Sequence, residues 1–175
     1  MAKKKCEICE IIKSKKGKLY EDDKVFAFLA PKPATTGHII ITPKEHHPIL
    51  EQVPDFIVSE LFVKANKLSM ACFETIGAEG TNLLIQNGVA AHQKHSHVLL
   101  HIIPRRENDG LNLAWQPKQM DEEEMSTLEL KIKKEAEGVG AFEEEKEEPI
   151  EEKKPDKIEA GPEEDYLLKQ LERLP

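Results

Sequence analysis

Between Asp55 and Ile76 the apolar residues Ile57, Leu61, Ala65, Leu68, Cys72 and Ile76 recur at steps of three and four, and Gly77 follows at once. A helical period of this length ended by a glycine predicts one long amphipathic helix. Such a helix has a single apolar stripe, which must be buried against another element. The runs around it are short and strand-like: Val25 to Leu29 (VFAFL), His38 to Thr42 (HIIIT), Asn82 to Gln86 (NLLIQ) and His97 to Ile103 (HVLLHII). Pro31, Pro33 and Gly37 break the chain between the first two, which form a hairpin-like pair. The Gly88 to Lys94 loop joins the last two, and Pro104 closes them. The expectation is an α+β fold, a small antiparallel sheet with one helix across it.

Charge marks where that body ends. Residues 1–142 hold 20 acidic and 19 basic side chains, whereas 143–165 hold 12 acidic and 4 basic, so the short stretch supplies the net charge of −8. A nearly neutral body with an acidic tail argues against nucleic acid as a partner, because counterion release needs clustered Lys and Arg. The basic cluster Lys3, Lys4, Lys5, Lys13, Lys15, Lys16 and Lys18 is read as a solvated N-terminal loop. No secretory signal and no run of about 20 apolar residues are present, so the expectation is a cytoplasmic chain without a membrane partner. Three cysteines in a reducing compartment are poor disulfide material, and Cys6 with Cys9 has the Cys-x-x-Cys spacing used for metal or redox work.

Four segments are expected: a body over 1–120, a helix over 121–138, an acidic disordered linker over 139–163, and a short terminal helix over 164–175. Asp121 and Glu124 form a capping box for the second segment, whose face is Met125, Leu128 and Ile132. The linker has too little apolar content to offset the entropy of ordering it. In the last segment Tyr166, Leu167, Leu168, Leu171 and Leu174 suit docking on this body or on a protein partner.

All seven histidines fall in two windows: His38, His46 and His47, then His92, His95, His97 and His101. Alternate residues of a strand share a face, so His95, His97 and His101 point one way with Leu99 between them. That face is either a site or a polar strand face rich in histidine.

The run QKHSHVLLHIIPR (93–105), with NLLIQNG before it and LAPKPATTGHIIITPKEH (29–46) earlier, resembles the histidine-triad (HIT) family. CEIC at the N-terminus and YEDDKVFAFL (20–29) extend the likeness over Cys6 to Trp115. The resemblance implies a half-barrel with a five-stranded antiparallel sheet and a long helix, commonly a homodimer joined through its sheets. It implies purine-nucleotide binding and hydrolysis or transfer of a nucleoside monophosphate through a nucleotidyl-histidine intermediate. Gln93 and His101 then fall at phosphate positions, Asn87 and Gly88 near the ribose, and His38 behind the triad strand; His101 and His38 are the auxiliary catalytic candidates. The zinc branch of the family implies Cys6, Cys9, His46 and His97 as metal ligands, with His47 competing with His46. Two thiolates and two imidazoles close a tetrahedral Zn2+ site and leave no position for water, which makes the metal structural.

Three positions depart from the family pattern. Leu99 occupies the place of the nucleophilic histidine, Ala30 that of an acidic residue contacting ribose, and His92 that of a glycine before Gln93. A covalent intermediate needs a side-chain nucleophile, and losing one from a cooperating group costs on the order of 10⁶ in rate. A neighbouring histidine starts about 7 Å away along a strand, against roughly 3–3.5 Å for attack. The sequence therefore favours a nucleotide-binding protein with a structural zinc and impaired nucleotidyl-histidine chemistry. Two alternatives stay open: an active nucleotide hydrolase or transferase that recruits His92, His95 or His101, and a zinc-stapled scaffold.

Overall fold

The computed structural model describes residues 6–139. Among them, helix α1 (Glu7–Ser14) precedes strands β1 (Lys18–Glu21), β2 (Val25–Leu29) and β3 (Ile39–Pro43). Helix α2 (Asp55–Ile76) then leads to β4 (Gly80–Ile85), β5 (Leu100–Arg105) and helix α3 (Glu122–Glu135). The strands make one five-stranded antiparallel sheet in the order β1-β2-β3-β5-β4. The protein is thus α+β.

The apolar runs are nearly continuous because the sheet is covered on both faces. Val25, Ala27, Ile39, Ile41, Leu100 and Ile102 pack on Leu61, Ala65 and Cys72 of α2. Their alternates Phe26, Phe28 and Ile40, with Leu99, pack on Ile8 and take Ile11 and Ile12 of α1 against them. A period of two thus separates an α2 core from a second core under α1. Helix α2 stops where a glycine permits it: Gly77 has φ 62° and its N–H bonds Cys72 O.

The residues alone suggested four strands and a loop at the N-terminus, and the structure corrects both. Glu7–Ser14 is a helix, too short for a resolvable period, and Lys13 lies on it. Lys18–Glu21 is a polar edge strand that pairs with β2 through an irregular step between Lys18 and Tyr20. Pro104 does not close the last strand, which runs on to Arg105, while His97, Val98 and Leu99 precede it. Proline fits there because the β3 ladder ends at the Ile39–Ile102 pair, and Thr35 Oγ1 donates to Pro104 O at 2.7 Å.

Asp121 Oδ1 accepts the Glu124 N–H at 2.8 Å and caps α3. No α3 residue is buried, and Met125 and Ile132 are 54% and 66% exposed. The expected acidic linker beyond Val139 and the expected terminal helix lie outside the described residues. No described helix is long and apolar enough to cross a membrane.

Candidate metal centre and ligand cavity

The β3–β5 register sets Ile41 opposite Leu100, which brings the residues after β3 beside those before β5. Thr42 Oγ1 donates to Val98 O at 2.7 Å and Val98 N–H to His47 O at 2.8 Å, fixing that junction. His46 and His97 meet there, with ring centroids 5.1 Å apart and edge to face. Across from them, Cys6 occupies the N-cap position of α1 and Cys9 follows three residues on, the spacing that places two side chains on one helix face.

One candidate ligand atom from each of Cys6, Cys9, His46 and His97 lies within 4.8 Å of the others. His97 Nδ1 is 3.6 Å from both sulfurs, and His46 Nδ1 is 3.4 Å from Cys9 Sγ. Metal–ligand lengths of about 2.3 Å to sulfur and 2.0–2.1 Å to nitrogen at a tetrahedral angle put S and N about 3.6 Å apart. The group therefore has the dimensions to hold such an ion. His97 is fully buried and its Nε2–H donates to Pro43 O at 3.0 Å, which turns Nδ1 toward the sulfurs. Burial and the nearby Cys6 sulfur push the Cys9 thiol pKa up, a penalty that a bound cation reverses. His47 stands outside the group, with its Nε2 3.8 Å from Glu45.

On the same side of the sheet lies a cavity of about 480 Å³. Its apolar wall is Ile8 and Ile11 of α1, Phe28, Ala30, Ile40 and Leu99; His38, His95, His97, His101 and Gln93 also line it. Leu99 is only 9% exposed and packs with Phe28, Ala30 and Ile40. His38 and His101 form a directed pair. The Ala34 N–H donates to His38 Nδ1 at 3.0 Å, so neutral His38 keeps its proton on Nε2 and donates it to His101 Nδ1, also at 3.0 Å. His101 then carries its own proton on Nε2. Desolvation lowers the pKa of His38, and desolvation with the charge of His38 pushes His101 down to about 4, so both rings are neutral at pH 7.

The other expected ligand residues are occupied within the chain. Gln93 Oε1 accepts the Gly88 N–H at 2.7 Å, while its Nε2 donates to Pro48 O at 2.6 Å and His95 O at 2.8 Å. Gly88 itself, at φ 87° and ψ 163°, holds a conformation open to glycine alone. Asn87 accepts from Leu50 N–H at 2.9 Å and donates to Glu51 at 2.7 Å. Neither Asn87 nor Gly88 lines the cavity, and His92 is exposed in the left-handed conformation, φ 63°.

Sequence reasoning missed the α1 wall and a second support. Arg105 donates to Asp109 Oδ2 at 2.6 Å, to Asp109 Oδ1 at 2.9 Å, to Asn82 Oδ1 at 2.7 Å and to Leu111 O. The guanidinium holds the Asp109 carboxyl well below the usual carboxylate range. This knot fixes the loop that brings Leu111 and Leu113 to the cavity. Its only sequence signal is an Arg with an Asp four residues later.

A family model described as HIT domain matches residues 12–108, more than half of the chain. The chain belongs to the HIT family. Adenylylsulfatase HINT3 of Arabidopsis thaliana is 41% identical over 108 residues, 61% of this chain and 55% of the plant protein, so the HIT chain spans about half of that relative. Adenosine 5′-monophosphoramidase HNT1 of Candida albicans is 34% identical over 137 residues, 74% of this chain and 90% of the relative. Among solved structures, a HIT family protein of Bacillus anthracis is similar with TM-score 0.69 and 33% identity, over 75% of this chain and 97% of that one. A Zn-bound histidine triad family protein of Mycobacterium smegmatis is similar with TM-score 0.58 and 29% identity, again over 75% and 97%.

Proposed function

We propose that this HIT protein binds a purine nucleotide in the cavity, holds a structural zinc at Cys6, Cys9, His46 and His97, and carries out no nucleotidyl-histidine transfer. The observation behind this reading is Leu99, which lines the cavity between His97 and His101 and offers no lone pair to phosphorus. The apolar wall suits a base, and the Nε2 proton of neutral His101 suits a phosphate oxygen. Both relatives' names carry an adenylyl or adenosine 5′-monophospho group, which supports an adenosine phosphate as ligand. The chemistry of the donor set fits zinc, and a bound zinc supplies a fixed tetrahedral tether without an open position.

The same names favour a competing reading, turnover by His95 or His101 in place of position 99. Adenosine 5′-phosphoramidate turnover and AMP binding, measured side by side on the wild type and on Leu99→His, separate the two. Binding without turnover that Leu99→His converts to turnover supports an intact pocket without its nucleophile. Wild-type turnover at a rate matching the variant rejects it.

A second copy is the proposed occupant of the β4 side. Edge strand β4 leaves one row of backbone groups open, and Ser69 Oγ and Thr81 Oγ1, 2.7 Å apart, hold α2 beside it. Leu83 of β4 and Phe73 of α2 are each 43% exposed. Sedimentation of the wild type and of Leu83→Glu tests this: a dimer that the substitution splits supports it, and a monomeric wild type rejects it.

A further inference from the structure

Helix α1 belongs to two sites at once. Cys6 and Cys9 face His97 and His46, whereas Ile8 and Ile11 of the same helix wall the cavity and Glu7 stands at its edge, 3.6 Å from His95. At eight residues it is far below the roughly 12–15 at which an isolated helix holds, and its N-terminus has no side-chain cap. Two attachments set its place. One is apolar: Ile8, with Ile11 and Ile12, packs over Phe26, Phe28, Ile40 and Leu99. The other is the meeting of its two thiols with the imidazoles at the β3–β5 junction. His97 joins the two, since it lines the cavity and presents Nδ1 to the sulfurs.

We infer that metal at the Cys6–Cys9–His46–His97 group and ligand in the cavity bind cooperatively, each favouring the docked position of α1. The inference rests on the nucleotide and zinc readings given above. A metal that draws the thiols to His46 and His97 fixes α1, so an incoming ligand meets a finished wall and no longer bears the entropy of ordering it. A ligand against Ile8 and Ile11 in turn holds the sulfurs near the imidazoles. Away from α1 and His97, the lining residues Phe28, Ile40, His101 and Ile103 stand on the sheet ladders, and Leu111 and Leu113 on the Arg105–Asp109 knot, so those walls keep their place without the metal. Linkage demands reciprocity: whatever factor metal adds to ligand affinity, ligand adds to metal affinity.

The test uses the full chain. AMP affinity is measured calorimetrically on zinc-loaded and chelator-stripped protein, and zinc affinity by competition with a chromophoric chelator, with and without saturating AMP at buffered free zinc. The expected result is AMP binding at least about tenfold weaker after stripping and zinc binding tighter by the same factor with AMP, within the usual 5–150-fold range of such couplings. Hydrogen exchange over residues 7–14 slows with either ligand and most with both. Ile11→Ala keeps every candidate metal ligand and lowers zinc affinity severalfold by loosening α1. Equal AMP affinity in the two forms, with zinc and AMP each bound, overturns the coupling and leaves both site readings standing. Unchanged zinc affinity in Ile11→Ala, or collapse of the whole fold in far-UV circular dichroism on stripping, also overturns it, since the effect must be confined to α1. Absence of AMP binding to the loaded protein removes the nucleotide reading and the coupling together.

Discussion

His38 Nε2 donates to His101 Nδ1 at 3.0 Å while the Ala34 N–H occupies the other nitrogen of His38. A second proton on either ring sets two N–H groups against each other, so the pair is built to stay neutral. His101 lies at about 4 in the folded protein against an ordinary 6.5, and His38 is lowered too. The folded pKa is below the unfolded one, so the unfolded chain takes up more protons as pH falls under about 6.5. This stability is present above 6.5 and lost toward pH 4, at up to about 1.4 kcal/mol per pH unit for His101. Urea unfolding at pH 7.5 and pH 5 checks it: His101→Asn loses less stability across that interval than the wild type.

His92 carries a side chain at φ 63°. Left-handed backbone costs a non-glycine residue about 1–2 kcal/mol. A glycine recovers this but adds about 0.5–1 kcal/mol of unfolded-state entropy. His92→Gly therefore stabilises by about 0.5 kcal/mol in chemical denaturation, whereas His92→Val destabilises.

Asp109 accepts from Arg105 Nε and Nη2 and from the Leu111 N–H. Asp109→Asn strips the charge from these bonds and leaves guanidinium donors short of acceptors. The melting temperature falls by several degrees, and AMP affinity falls with it as Leu111 and Leu113 lose their support.

His46→Ala removes a candidate metal ligand and weakens zinc binding by more than the roughly 10–100-fold typical of losing a mere supporting residue. His47→Ala, outside the group, leaves zinc affinity within about threefold. Chelator competition on the two variants reads the difference.

Helix α3 buries none of its residues. Ile132→Ser, on a side chain that is 66% exposed, therefore changes the folding free energy by no more than about 0.5 kcal/mol, as urea unfolding of the full chain shows.

Much of this architecture is written in local patterns. The Ile57 to Ile76 period and Gly77 give α2, and the branched runs give β2 and β3 within a residue of their ends. What escaped local reading depends on distant partners. Lys18–Glu21 is a strand because β2 lies beside it, and Glu7–Ser14 is a helix because a sheet face waits beneath Ile8. The site divides the same way. The Cys-x-x-Cys spacing marked Cys6 and Cys9, the resemblance to the zinc branch of the family added His46 and His97, and the fold brings the four together. That Gln93 reaches Pro48 O, or that Ile8 and Ile11 wall the cavity, depends on segments dozens of residues apart and has no signature along the chain.

Pro104 gives the folding chain a way to reject its own near-misses. Slipping β5 by one residue against its neighbours exchanges the two faces, pressing His101 into the α2 core and turning Leu100 and Ile102 toward the cavity side. The same slip carries a residue without an N–H into a different place in the ladder and away from the Thr35 hydroxyl that accompanies it now. The misaligned form loses twice, in core and in backbone, so a single imino acid helps proofread which side of the sheet receives the imidazoles.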